Sequence, residues 1–143
     1  MIKPEDLRIG DLVMISHGCM FHKGTMCAVT EIRPDKESGY KKGAVSLSAI
    51  NDNDGRSWGT WLCNVDGIPI TPEILKNNGF EMKDDFVVYA KRKVGLKPLP
   101  DNKGYEAGIG NRLFYFKIGD IQYVHELQHI LRVLGLDAEL KIK

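Results

Sequence analysis

Short apolar runs alternate with turn-forming residues through the first half of the chain, and this spacing restricts its fold more than any other feature. Glycine, proline or clusters of charged residues separate the runs. Strands of this length and spacing are typical of a small barrel or a strongly curled sheet. Asn51–Gly55 is a strong turn signal between the last two runs. The predicted strands are Leu12–Ile15, Met26–Ile32, Ala44–Ile50 and Trp58–Val65, and Pro34 is expected to end the second.

The second half of the chain mixes helical and strand signals. A short helix is predicted after Thr71, because Thr71 can cap it, Pro72 suits its first position and Gly79 suits its end. A longer amphipathic helix is predicted from a cap at Asp120 to about Leu134. The predicted strands are Phe86–Ala90, a hairpin of Tyr105–Ile109 with Arg112–Ile118, and a final edge strand over Glu139–Lys143, with residues 94–104 as a loop.

These patterns together predict an α+β protein. Residues 1–70 form a barrel-like β-rich half, and residues 71–143 form a half with a short helix, a β-hairpin or sheet, an amphipathic C-terminal helix and an edge strand. A chain of 143 residues suits either two small subdomains or one compact domain.

Composition narrows the classes of protein to which the chain belongs. Its formal net charge is +1, so charge supplies no general attraction to nucleic acid or membranes. No apolar run approaches the roughly 18 residues that a membrane span needs, and the start of the chain lacks the pattern of a signal peptide. Three cysteines without a CxxC pair favour free thiols in a reducing compartment. We therefore expect a cytoplasmic protein.

Three segments resemble an uncharacterised family of small bacterial proteins that are often encoded in prophages and other mobile elements. They are Leu7–Val13 (LRIGDLV), Ile68–Phe80 (IPITPEIL followed by NGF) and the stretch from Ile121 (IQYVHELQ) onward. The resemblance covers nearly the whole chain and implies one α+β architecture. It implies no activity, and family members often carry other residues at the positions of Glu126 and His129.

The sequence His125-Glu126-Leu127-Gln128-His129 has the spacing of a zinc peptidase motif. In such enzymes two histidines one helical turn apart bind zinc, and the glutamate between them is the general base. A catalytic zinc also needs a third protein ligand, and no histidine follows His129. Helical periodicity further places His125 and His129 opposite the apolar stripe, on a solvated face. The motif is therefore interpreted as a solvated helix surface, with zinc hydrolysis as the alternative.

Four possible metal ligands lie within eleven residues: His17, Cys19, His22 and Cys27. Four ligands of these types can close a structural zinc site. Their spacing matches no standard zinc pattern, and we interpret the segment as a hairpin loop with exposed histidines.

Two further features suggest binding. The glycines and apolar residues from Gly10 to Val29 resemble a KOW-type small-barrel motif, a class that often binds nucleic acid or protein. Lys91, Arg92 and Lys93 form the densest basic stretch, and with Tyr105 they are candidates for holding a single strand by charge and stacking. The simpler interpretation is a solvated loop beside core aromatics, and Trp58 and Trp61 are likewise interpreted as core or barrel-rim residues.

The leading hypothesis is a non-enzymatic binding or accessory module of mobile-element origin, without a cofactor, whose partner is protein or nucleic acid and not a membrane. One alternative is the zinc-dependent hydrolase, with His125 and His129 as ligands and Glu126 as base. Another is a structural, self-associating protein, which predicts an exposed apolar patch.

Overall fold

The computed structural model describes residues 2–17, 22–39, 41–50, 55–83, 86–89, 94–100, 103–110 and 115–142. The chain forms two compact units, Met1–Ile68 and Pro69–Lys143. Each unit contains an antiparallel sheet, and the two helices belong to the second unit, so the predicted α+β class is confirmed.

The first unit is a single sheet with the strand order β4-β3-β2-β1-β5. Short 3-10 helices at Pro4–Asp6 and Leu62–Asn64 accompany it. The side chains of alternate strand residues, such as Val13, Val45 and Leu47, form its core. The strands are β1 (Leu12–Ile15), β2 (Met26–Ser38), β3 (Lys41–Ala49), β4 (Trp58–Trp61) and β5 (Val65–Gly67).

The connection between β4 and β5 forces this sheet to curl. The two strands lie at opposite edges of the sheet, yet only Leu62–Asn64 joins them. Four strand spacings in a flat sheet span about 19 Å. Four residue steps reach at most about 14 Å, and fewer in a 3-10 turn. The strand pairs among the described residues do not include β4 with β5, and no closed barrel is found. Of the predicted barrel-like half, the antiparallel sheet is confirmed and barrel closure is not.

Three strand boundaries in this unit differ from the prediction. Strand β3 begins at Lys41, three residues before the predicted Ala44. Pro34 does not end β2, which continues to Ser38, because the pairing with β3 is irregular between Arg33 and Glu37 and a proline there interrupts no ladder bond. The predicted strand Trp58–Val65 is broken by the 3-10 turn, since one straight strand cannot run from one edge of the sheet to the other.

The second unit packs two helices with a sheet of order β10-β9-β8-β7-β6. Helix α1 (Pro72–Asn77) matches the prediction: the Thr71 hydroxyl accepts a hydrogen bond from the Ile74 backbone N–H at 3.2 Å, and Gly79 has a φ of 86°. The other elements are β6 (Phe80–Lys83), β7 (Phe86–Tyr89), β8 (Val94–Pro98), β9 (Tyr105–Gly110), β10 (Tyr115–Ile121) and α2 (Val124–Val133).

Three predictions for the second unit were wrong. Residues 94–98 form strand β8 and not a loop, because β7 and β9 pair with them on both sides. Asp120 does not cap the last helix, since it lies in β10 and Tyr123 is the N-cap. Residues 136–142 form no strand within the described chain. Instead, the Asn78 side chain bonds the Lys141 backbone, accepting from its N–H at 2.7 Å and donating to its carbonyl at 2.6 Å.

Neither helix in the described part of the chain has the length and apolar character needed to cross a bilayer.

Gly104 provides a test of the second unit's sheet. Its φ is 105°, and an added Cβ would collide with the carbonyl oxygen of Ile121. We expect Gly104→Ala to lower the free energy of unfolding by about 2–4 kcal/mol, because it combines a strained φ with a backbone clash. Urea denaturation measures this loss.

Gly119→Ala is the matched control, since Gly119 lies in β10 without a positive φ and its added Cβ would meet no described atom within 4 Å. We expect a change within about 0.5 kcal/mol. Equal effects of the two substitutions would contradict the close approach of Gly104 to β10.

Candidate functional site

Glu126, the general base of the hydrolase interpretation, stabilises the start of helix α2. One carboxylate oxygen accepts hydrogen bonds from the backbone N–H groups of Gln122 and Tyr123, at 3.1 and 3.0 Å. These are the contacts of a capping-box glutamate at the third helical position. The helix needs an acceptor here because its N-cap, Tyr123, makes no side-chain cap hydrogen bond. A carboxylate held in this way has a structural role that requires no catalysis.

The two histidines of the motif do not share a solvated face, and this prediction was wrong for His125. Only 4% of His125 is exposed, whereas His129 is half-buried. The His125 ring stacks on Tyr123, with centroids 5.8 Å apart and planes at 8°, and meets the His129 ring edge-on at 5.9 Å. The two imidazoles therefore contact each other and an aromatic ring. Helical periodicity gives a direction around the helix axis, but it does not reveal what covers that direction.

The contacts of Gln128 show one segment of the chain that covers helix α2. Gln128 is 1% exposed, and its amide donates a hydrogen bond to the Ala138 carbonyl at 3.0 Å. Leu136, Ala138 and Leu140 also pack against the hydrophobic core of the unit. The segment after α2 thus returns along the helix, and α2 is buried on more than its apolar stripe.

The predicted metal ligands are not brought together among the described residues. No group of three or more histidine, cysteine, aspartate or glutamate side chains in that part of the chain is placed to hold a metal ion. Cys27 is fully buried in the core of the first sheet, whereas His17 and His22 are exposed. Cys19 lies outside the described residues.

Of the basic and aromatic candidates for nucleic-acid binding, the structure describes only Tyr105. Lys91, Arg92 and Lys93 lie outside the described residues. Tyr105 is 9% exposed and belongs to the hydrophobic core of the second unit, where burial raises the pKa of its hydroxyl above the usual 10.0. A ring enclosed in this way is not available for stacking on a nucleobase.

The sequence did not reveal an aromatic and charged cluster on the outer face of the first sheet. Register places Arg33, Ala44 and Trp61 in one row across β2, β3 and β4, and places Glu31, Ser46 and Gly59 in the next. We call the two rows the outer face, because Val45, which lies between them, and Leu47, which follows Ser46, point into the core on the other side of the sheet.

Polar contacts hold the charged side chains of the outer face. The Arg33 guanidinium donates to the Ser46 hydroxyl at 3.1 Å and lies 3.9 Å from the Glu31 carboxylate. The Lys41 ammonium lies 5.9 Å from the centroid of the Trp61 ring, within cation–π range. Alternation along β2 and β3 was visible in the sequence, but the register that aligns Trp61 with Arg33 was not.

Comparison with known proteins finds no matching family model, no curated protein of significant similarity and no solved structure of significant similarity. The resemblance to prophage-encoded proteins therefore stays a prediction.

The role of Glu126 is tested by stability. Glu126→Ala removes an acceptor for two backbone N–H groups, and we expect it to lower the free energy of unfolding by about 0.5–2 kcal/mol. Glu126→Gln is the matched control, because its amide oxygen still accepts and we expect it to retain more of that stability. Chemical denaturation measures both.

A hydrolase would respond differently. If Glu126 were also a general base, both variants would abolish turnover, including Glu126→Gln, which retains more of the cap. Unchanged stability of Glu126→Ala would contradict the capping role.

Proposed function

We propose that this protein is a non-enzymatic binding module, accessory to a mobile element, whose first unit holds a protein partner on its outer face. The observation that supports this most is the row of Trp61 and Arg33 on the outer face, with Trp61 at the edge of the sheet. Tryptophan and arginine are the residues most enriched at the energetic centres of protein interfaces.

The charged groups of the outer face are pre-organised for binding. Arg33 is held by Ser46 and Glu31 before any partner arrives, so less side-chain entropy is lost on binding. Lys41 lies against the Trp61 ring. The surface therefore offers an aromatic ring with one cationic group over it, and an arginine paired with a carboxylate two strands away. This mixture suits a polypeptide with charges of both signs.

The position of β4 adds a backbone contribution. It is an edge strand, because it pairs with β3 and with no other strand of the described sheet. Edge strands present backbone donors and acceptors to which an extended peptide can add. A segment of the partner that pairs along β4 would lie beside the Trp61 ring.

The charge of the first unit favours protein over nucleic acid. Residues 1–68 contain eight lysines and arginines and nine aspartates and glutamates. A nucleic-acid module draws most of its affinity from an excess of positive charge facing phosphates. The KOW-type pattern and the curled sheet are compatible with either partner, since small barrels serve many functions.

We expect Trp61→Ala to reduce the capture of specific proteins from a bacterial lysate by at least tenfold, because interface tryptophans often contribute more than 1.4 kcal/mol. Quantitative mass spectrometry of nuclease-treated lysates compares the immobilised wild type and variant. Lys41→Ala should weaken the same captures by a smaller factor.

Val133→Ala is the control, because Val133 is 86% exposed in α2 and is not a residue of the outer face. Captures that depend equally on Val133 and Trp61 would contradict the assignment. Partners that are lost on nuclease treatment would favour the nucleic-acid hypothesis instead.

Self-association is a second candidate, and one observation favours it. On the second sheet Phe116 lies directly opposite Ile109, and the two are 74% and 39% exposed. Ile109 lies on the same face of β9 as the buried Ala107, and Phe116 extends that face onto β10. Exposed apolar rows of this kind mark association surfaces.

On this second hypothesis the wild type sediments as a concentration-dependent oligomer, and Phe116→Lys sediments as a monomer because a buried lysine at the contact is unfavourable. Analytical ultracentrifugation measures the mass. Val133→Lys introduces the same charge at another exposed apolar position and should leave the oligomer intact. A monomeric wild type would remove this candidate.

A further inference from the structure

The second unit contains an apolar cavity between helix α1 and its sheet. Its volume is about 410 Å³, and residues of α1, β6, β7 and β9 line it. Small-molecule sites generally measure about 300–1,000 Å³ and are lined mainly by apolar side chains. Four apolar side chains form most of the lining: Leu75, Phe80, Met82 and Val87.

Tyr105 adds a polar atom to this cavity. Only 9% of Tyr105 is exposed, and the residue forms part of the cavity wall. No hydrogen bond joins its hydroxyl to any described residue. The hydroxyl oxygen is not fully enclosed by described residues, so it retains some accessible surface. Buried tyrosine hydroxyls generally find a partner, and a ligand in this cavity would supply one.

The charged groups at the cavity favour an uncharged ligand. Lys76 and Glu81 both contribute to the lining, so their charges oppose each other and attract neither an anion nor a cation. The rest of the wall is apolar, and burying an ionised group against it would be costly. The pKa of Tyr105 is raised by burial, so its hydroxyl stays protonated and can donate.

The volume limits the size of the ligand. At about 30 Å³ for each water molecule, the cavity holds the equivalent of about a dozen waters. This space accommodates one aromatic ring with a short substituent. It is too small for a lipid with two acyl chains.

We propose that this cavity is a binding site for a small uncharged aromatic or aliphatic compound that carries one hydrogen-bond acceptor, with the Tyr105 hydroxyl donating to that acceptor. The site belongs to the second unit and is independent of the outer face of the first. It takes a small molecule, whereas the outer face takes a polypeptide, so each proposal fails or succeeds alone.

The test uses a pair of compounds of similar shape, acetophenone and ethylbenzene, which differ in the carbonyl acceptor. Titration of the full isotope-labelled chain is followed by amide NMR shifts. We expect acetophenone to shift resonances of α1 and β6 and to bind more tightly than ethylbenzene. Tyr105→Phe should weaken acetophenone binding about fivefold and leave ethylbenzene binding unchanged, because only the hydrogen bond is lost.

A second variant closes the cavity without disturbing the core. Met82 is 64% exposed at the cavity, and Met82→Trp is expected to fill its mouth and abolish binding of both compounds. Val133→Trp, which adds the same side chain at an exposed position of α2, should bind both compounds as the wild type does.

Four outcomes would overturn the proposal. Acetophenone that causes no shifts in α1 and β6 would remove the site. Equal binding of acetophenone by the wild type and Tyr105→Phe would remove the role of the hydroxyl. Tighter binding of benzoate than of acetophenone would show that the cavity selects an anion. If neither compound binds and Met82→Trp instead loses a protein partner, the cavity is a docking site for a protein side chain.

Discussion

The short link between β4 and β5 is the constraint on which the first unit depends. Because three residues connect opposite edges of one sheet, the sheet must curl until those edges approach. Curling encloses the side chains of one face into a core and turns the other face outward. Strand β4 lies at an edge of this sheet, and Trp61 shares a row with Arg33, with Ala44 of β3 between them. The core and the proposed binding face are therefore the two sides of a sheet that this one connection forces to curl.

The second unit depends on the burial of helix α2. The sheet covers its apolar stripe, and the returning segment around Ala138 covers Gln128. Within this arrangement, residues of the peptidase-like motif make structural contacts. Glu126 caps the helix, and His125 packs against Tyr123. A five-residue motif specifies spacing on a helix, whereas catalysis also requires a third ligand and a free base at one place in space.

The features proposed for binding are polar groups placed where the fold does not need them. Lys41 over Trp61 adds little to the core of the first sheet, since exposed cation–π contacts generally contribute about 0.5–1 kcal/mol. The Tyr105 hydroxyl forms no bond within the described second unit, although the ring fills its core. Groups with no structural role are available for recognition. Lys41 and Trp61 lie on a surface that suits a polypeptide, whereas the Tyr105 hydroxyl lies at a cavity that suits a small molecule.

The sequence by itself determined the α+β class, most strand positions of the first unit, and helix α1 from Thr71 to Gly79, because turns, caps and alternation act within a few residues. Only the tertiary structure decided that His125 is buried, that residues 94–98 pair as a strand, and that Trp61 lies in the row of Arg33. These outcomes depend on contacts between distant parts of the chain. Asn78 and Lys141, which hold the last segment in place, are 63 residues apart. Local patterns carry no information about which distant segment will cover a given face, so these features followed only from the folded chain.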